Sequence, residues 1–294
     1  MSLYYLDILQ GTVRSCNADG SDERVIVDNI KTLPDGIQVD DRPGQGWIYW
    51  TNMGTSPDTP DGSLSRCRLD GSQHEYIVQP GATITPKQMQ LDVDFGFLYW
   101  CDREGKAIFR AKLDGSDQTR LYQATVSTEP ESCAWCVGVA IDKANNYIYW
   151  TQKGPSKGGL GRIFRAPLDR AAQSQDSLQA QVVFEHLPEP IDLEIDEDGK
   201  HLYWTDRGDV PFGNTLNRWS IQAQATTTAL AGQAIIATKL HEGIGLALDQ
   251  KSKHVYVSDL LGGLYRYDWD GGNKKVIFQD AGNLTGIAFV EPGA

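Results

Sequence analysis

Hydrophobic positions along this chain of 294 residues fall in short runs broken by polar turns, and the runs repeat. One phrase sets an aliphatic residue, a tyrosine and a tryptophan side by side. It appears as "GWIYWTN" at 46–52, "FLYWCD" at 97–102, "YIYWTQ" at 147–152 and "HLYWTD" at 201–206. Its tyrosines Tyr49, Tyr99, Tyr149 and Tyr203 are followed by Tyr256 in the weaker copy "HVYVSD", at spacings of 50, 50, 54 and 53 residues. A sixth copy, "LYYLD", occupies residues 3–7. Self-similarity at this period marks stacked supersecondary units.

Each unit predicts four strands. A small-residue strand comes first: "GIQVD" (36–40), "QMQLD" (88–92), "GVAID" (138–142), "DLEID" (192–196), "GLALD" (245–249) and "GIAFV" (286–290). The aromatic strand follows. A third strand carries Arg66, Arg110, Arg165, Arg218 or Arg266, with Ser15 in the sixth place. The fourth is short and apolar. Asp-Gly pairs at Asp19, Asp70 and Asp114 mark tight hairpin turns between the last two. Helical periodicity is nearly absent, and only the loop at 169–187 has room for a helical turn or two. Four antiparallel strands repeated six times predict an all-β, six-bladed β-propeller spanning residues 1–294 as one domain. Five units are complete. The sixth takes its first strand from the C-terminus and its other three from the N-terminus, so the two ends share a blade and close the ring.

The wording of the repeat is specific. The Tyr-Trp-Thr-Asp phrase, the Gly-Ile-Ala-Val-Asp strand and the Leu-Asp-Gly-Ser turn resemble the YWTD propeller of the low-density-lipoprotein-receptor class B family, over essentially the whole chain. On that resemblance the aromatics pack blade against blade, and the recurring arginines are expected to pair with carboxylates within the ring. Receptor members of the family bind proteins and are flanked by disulfide-rich EGF-like modules. Stand-alone YWTD-type chains are similar to proteins of fungal and other microbial natural-product pathways. Some of those resemble lyases or cyclases, including hetero-Diels–Alder type enzymes.

Composition narrows the partners. Lys and Arg total 27 against 39 for Asp and Glu, a formal charge of −12, which argues against nucleic acid and anionic membranes. No apolar run approaches the ~18 residues a membrane span needs, and no basic leader opens the chain, so the expectation is a cytoplasmic protein. Five cysteines fit a reduced compartment. Cys133 and Cys136 form a lone C-x-x-C that supplies two ligands where a structural zinc site takes four, so no metal is expected.

Candidate chemistry lies where the innermost strands depart from the repeat. Their first and third positions are small in three copies, but read Gly36/Gln38, Gln88/Gln90 and Asp192/Glu194 in the others. Long polar groups there must reach the axial channel or a partner, since burial unpaired costs about 2 kcal/mol or more each. The segments leading into these strands, and the loops at 52–63, 102–107, 152–161 and 206–214, ring one mouth of the channel. Three readings follow. The first is a cofactor-independent lyase or cyclase acting on a small apolar or aromatic substrate. In it Glu194, His241 and Glu242 move protons, Lys87 and Arg207 hold an oxyanion, and Trp135 and Phe212 stack on the substrate. Gln38, Gln90 and Asp192 complete that binding set. The second is a protein-binding module that uses the rim. The third is a metal-dependent lactonase with Asp192, Glu194 and Asn283 as ligands.

Overall fold

A computed structural model describes residues 1–44, 46–56, 59–126, 129–171, 175–221 and 233–291. Six four-stranded antiparallel sheets form the ring. The inner strands are Pro34–Asp40, Pro86–Asp92, Cys136–Asp142, Pro190–Ile195, Gly243–Asp249 and Leu284–Val290, which define blades one to six. Each is paired with an aromatic strand: Trp47–Asn52, Phe97–Asp102, Tyr147–Gln152, His201–Asp206, His254–Asp259 and Ser2–Asp7. In blade six Leu284–Val290 pairs antiparallel with Ser2–Asp7, so the chain ends share a blade as the repeat predicted. The loop at 169–187 ends in the strand Gln181–Leu187 and not in a helix, although its residues 172–174 lie outside the described ones. Among the described residues the helical element is a single 3-10 turn, Glu131–Ala134.

The aromatic phrase is architecture. Trp50, Trp100, Trp150 and Trp204 are at most 1% exposed. Trp100 and Trp150 stack on Phe109 and Phe164 of their own third strands, with centroids 5.2 and 5.6 Å apart. They also pack against the neighbouring blade, Trp50 with Leu6, Val13 and Ala288 of blade six. Such aromatics bury a large apolar area between one blade and the next.

The residue after the tryptophan joins the blades polar-to-polar. All six inner strands begin two residues earlier than their small-residue pattern, and pairing slips just inside each of those starts, as between Pro34 and Ile37. The slip leaves one inner-strand N–H without a ladder partner. In blade one Thr51 accepts the Gly36 N–H at 2.8 Å and donates to the Lys87 carbonyl of blade two at 2.7 Å. Thr151 does the same between Gly138 and Ile191, Thr205 between Asp192 and Ile244, and Ser258 between Gly245 and Thr285. Cys101 donates its thiol to the Gly138 carbonyl, and Thr285 carries the series from blade six to the Pro34 carbonyl of blade one. The inner strands approach closely enough that a Cβ on Gly138 would lie 2.1 Å from the Ile191 carbonyl oxygen. That proximity explains the small-residue rule.

The arginines depart from expectation. Arg66 does pair with Glu75, at 2.7 Å. The arrangement that recurs is different: the guanidinium lies over the first aromatic of the second strand and donates to a backbone carbonyl of the next blade. Arg66 covers Trp47 and reaches Leu113, and Arg110 covers Phe97 and reaches Arg170. Arg218 reaches Trp269. The acceptors Leu113, Arg170 and Trp269 lie in the segments that follow the third strand of the next blade, where backbone carbonyls are not used by the sheet.

Candidate functional site

Two rings of equivalent positions build the channel mouth. The residue directly after each aromatic strand is Met53, Arg103, Lys153, Arg207, Leu260 or Ile8. In all six blades its backbone N–H donates to the carbonyl of the residue just before the inner strand, namely Leu33, Thr85, Trp135, Glu189, Glu242 and Asn283. The second ring is the second residue of each inner strand: Asp35, Lys87, Val137, Ile191, Ile244 and Thr285. Backbone hydrogen bonds fix the first ring whatever its side chains, so sequence is free to place chemistry there.

Blades two to four place cations in the first ring. Lys153 Nζ and Arg207 Nε share one carboxylate oxygen of fully buried Glu189, at 2.8 and 3.0 Å. Glu189 also accepts from Ser156 and from the Lys157 backbone. Burial alone would push its carboxyl up, but Arg207 and Lys153 outweigh it and hold the group below the ordinary carboxylate range. Lys87, in the second ring, donates to Asp35 at 2.8 Å and approaches Met53 Sδ at 2.9 Å. Burial lowers Lys87, and repulsion from Arg103 and Arg207 adds to it, while Asp35 opposes. Lys153 is lowered by burial, which Glu189 opposes, and by the same two arginines. The guanidinium of Arg103 and the ammonium of Lys153 both lie 5.3 Å from the Trp135 ring, carried there by the 3-10 turn. Trp135 is thus a cation–π partner more than the apolar wall its type suggested. The apolar side is Val137, Ile191 and Ile244, packed with Leu260.

Below the mouth a polar bridge crosses the channel. Gln90 Nε2 donates to Glu194 Oε1 at 2.6 Å, and Gln38 also hydrogen-bonds to this carboxyl. Burial lifts Glu194 to about 7, the two glutamines pulling the other way. Lys87 is committed to Asp35. Asp192 is a structural staple: one oxygen accepts from its neighbour Leu193 and the other from Leu246 of blade five, both at 2.9 Å. Burial, then the charge of Glu194, push it well above the ordinary range.

The remaining candidates lie further out. The His241 ring is 3.6 Å from Asp259 with a side chain 59% exposed. Glu242 comes within 3.9 Å of Arg207 and is 43% exposed. Phe212 is 61% exposed on the 206–214 loop, and among the described contacts none joins it to the channel groups. Asn283 donates to the Leu260 carbonyl, away from Asp192 and Glu194, so the three proposed lactonase ligands do not converge. Among the described residues no cluster of three or more His, Cys, Asp or Glu side chains is arranged to hold a metal. Reading the sequence missed Arg103 and Lys153. Their signal was present: both occupy the position after the aromatic phrase, as Arg207 does.

No family model matches the chain. A relative from Pyricularia oryzae, "Low-density lipoprotein receptor-related protein 1", is 48% identical over 289 residues, covering 95% of this chain and 92% of that protein. The chain belongs to the family of YWTD-type, low-density-lipoprotein-receptor-related propeller proteins. Within the YWTD-type family, a human "Low-density lipoprotein receptor-related protein 5-like protein" is 26% identical over half of this chain. The "3-hydroxyacyl-CoA dehydrogenase-like protein LAM1" of Cochliobolus heterostrophus is 38% identical over 300 residues, 96% of this chain but 61% of its own length. Among solved structures, the nidogen/laminin complex superposes with a TM-score of 0.76 at 16% identity, over 98% of this chain and 97% of that one. A 6-phosphogluconolactonase homologue from Bacteroides uniformis gives 0.58 at 15%, over 94% and 81%. At these identities the two structures speak to the fold alone.

Proposed function

We propose that this YWTD-type propeller binds and converts a small organic molecule at the channel mouth, in a cofactor-independent lyase or cyclase reaction with Glu194 as the proton carrier. The observation that carries this reading is a carboxyl lifted to about 7, held by two glutamines on the floor of a mouth lined by cations on one side and apolar residues on the other. A carboxyl near neutrality gives and takes a proton with comparable ease, which is what general acid–base catalysis requires. In a dehydration, protonated Glu194 passes its proton to a substrate hydroxyl. The C–O bond breaks and water leaves. The resulting carboxylate then takes a proton from the neighbouring atom, and the electrons of that bond form the new double bond. A conjugated product of this kind is a partner for a hetero-Diels–Alder closure, which needs shape and no further proton transfer.

The test is incubation of the protein and of Glu194→Gln with a metabolite extract of the source organism, followed by mass spectrometry. The expected result is a compound consumed by the wild-type chain only, with a product that is an isomer or is lighter by one water. An extract left unchanged by the wild-type chain would count against an enzyme. A second reading rests on Leu160, Val210, Phe212 and Leu261, exposed apolar residues on the loops around the mouth. Such a rim also suits a protein partner. Retention of a protein, with release on Phe212→Asp, would move that reading ahead.

A further inference from the structure

Resting on a small-molecule site at the mouth, we infer that its substrate is an organic anion with an apolar body. The anionic oxygen is held by Arg103 and Arg207 beside Lys153, and the body lies toward Val137, Ile191, Ile244 and Leu260. The argument starts from hydrogen-bonding capacity. An arginine side chain carries five N–H donors, and a buried or half-buried one is normally committed through several of them. Arg103 uses its Nε on Glu104, and Arg207 uses its Nε on Glu189. Among the described residues, neither Nη nitrogen of either arginine makes a hydrogen bond. Arg207 Nη1 has Glu242 at 3.9 Å, beyond hydrogen-bonding distance. The ends of two guanidinium groups, on side chains 18% and 25% exposed, are therefore left without a protein acceptor beside lysines that are 7% and 12% exposed.

Charge gives the second argument. Four cations converge in a chain whose net charge is −12. Among the described residues, their buried ion-pair partners are Asp35 and Glu189, while Glu104 and Glu242 sit toward solvent, 27% and 43% exposed. Burial is the larger cause of the lowering in both lysines, and the arginines add to it, so the cations repel one another. A carboxylate or acidic hydroxyl placed among them relieves that repulsion and takes up the free Nη donors bidentately. A neutral polar head does neither. The apolar residues occupy blades three to five, next to the arginines of blades two and four, so a ligand spanning both must be amphipathic.

Calorimetry with octanoate and 2-naphthoate, each against its primary amide, tests the inference on the intact chain. The acids are expected to bind at least about tenfold tighter than the amides, in keeping with charge-assisted hydrogen bonds. That ratio should collapse in Arg103→Gln and in Arg207→Gln. Arg103→Gln remains informative if loss of the Glu189 partner unfolds the second variant. Because an anion raises the depressed lysines, binding in alkaline buffer should also take up protons, seen as heat that changes with the ionisation enthalpy of the buffer. If acid and amide bind equally and both are lost in Ile244→Asp, anion selection is overturned while the small-molecule site stands. If neither kind of probe binds, or binding ignores every mouth substitution, the inference and the reading beneath it both fall.

Discussion

Glu194 and Gln90 meet across the channel at 2.6 Å, although 104 residues separate them and blade three, with Ala140 in the equivalent position, lies between. Burial of this carboxyl, which the two glutamines only partly offset, couples stability to pH. Folding raises the Glu194 carboxyl from 4.5 to about 7, so the folded chain binds this proton more tightly than the unfolded one. Its contribution is complete below the unfolded value and is lost as pH rises through the folded value. Between about pH 5 and about pH 8 the wild-type chain should lose on the order of 2 kcal/mol from this group, and Glu194→Gln should lose correspondingly less. Urea melts of both proteins at the two pH values measure it, and parallel pH profiles would refute the assignment.

The hydroxyl joints between blades should matter individually. Thr151→Val keeps the shape but leaves the Gly138 N–H and Ile191 carbonyl unpaired, at a cost of about 2 kcal/mol. Cys101→Val removes one weak thiol donor and should cost under about 1 kcal/mol. Equal losses in chemical denaturation would mean that packing, and not the hydroxyl, decides.

Ring closure should depend on the first strand. Removing residues 1–7 deletes Ser2–Asp7 from between Thr12–Asn17 and Leu284–Val290, exposing two strand edges. The truncated chain is expected to aggregate, as size-exclusion chromatography would show. A monomer with an unchanged melting temperature contradicts this.

Core and rim aromatics should separate cleanly. Trp100→Ala is expected to cost about 3–5 kcal/mol, since the ring is fully buried. Phe212→Ala, at an exposed loop position, should stay within about 0.5 kcal/mol. Thermal melts of the two variants check the contrast.

Thiol chemistry should be silent in the native state. All five cysteines are free and buried, and burial pushes Cys16, Cys67 and Cys136 up to about 12. Ellman's reagent should therefore label the native chain very slowly and all five thiols after unfolding. Rapid native labelling of Cys133 or Cys136 would reopen a reactive role for the C-x-x-C pair.

Much of the fold was legible because a strand's periodicity and a turn's chemistry are local. Tyr49, Tyr99 and Tyr149 announce their blades from a few neighbouring residues. The strand Gln181–Leu187 was hidden, because a variable edge strand carries little pattern of its own. The arginines were read by charge, yet their acceptors are backbone carbonyls of the next blade, which no side-chain inventory displays. The site was legible only in part for a related reason. Glu194, Gln90 and Gln38 broke a repeated small-residue position and so stood out. Lys153 and Arg103 sat at a position with no consensus to break, and their meeting over Trp135 depends on how blades two and three pack side by side.

The backbone bond that fixes the residue after each aromatic strand has a consequence for how such a protein changes over time. Because the tether uses main-chain atoms alone, Met53, Arg103, Lys153, Arg207, Leu260 and Ile8 are six addresses that mutation can rewrite without disturbing the blades that hold them. Each address lies on the same ring at the channel mouth, and each can change charge, length or shape while keeping its own backbone tether. New specificities are then reachable by single substitutions from a working ancestor wherever the side chain replaced is not itself the partner of a buried charge, as Lys153 and Arg207 are of Glu189. A closed ring of nearly identical blades, conservative in its core, is in this respect a flexible palette at its mouth.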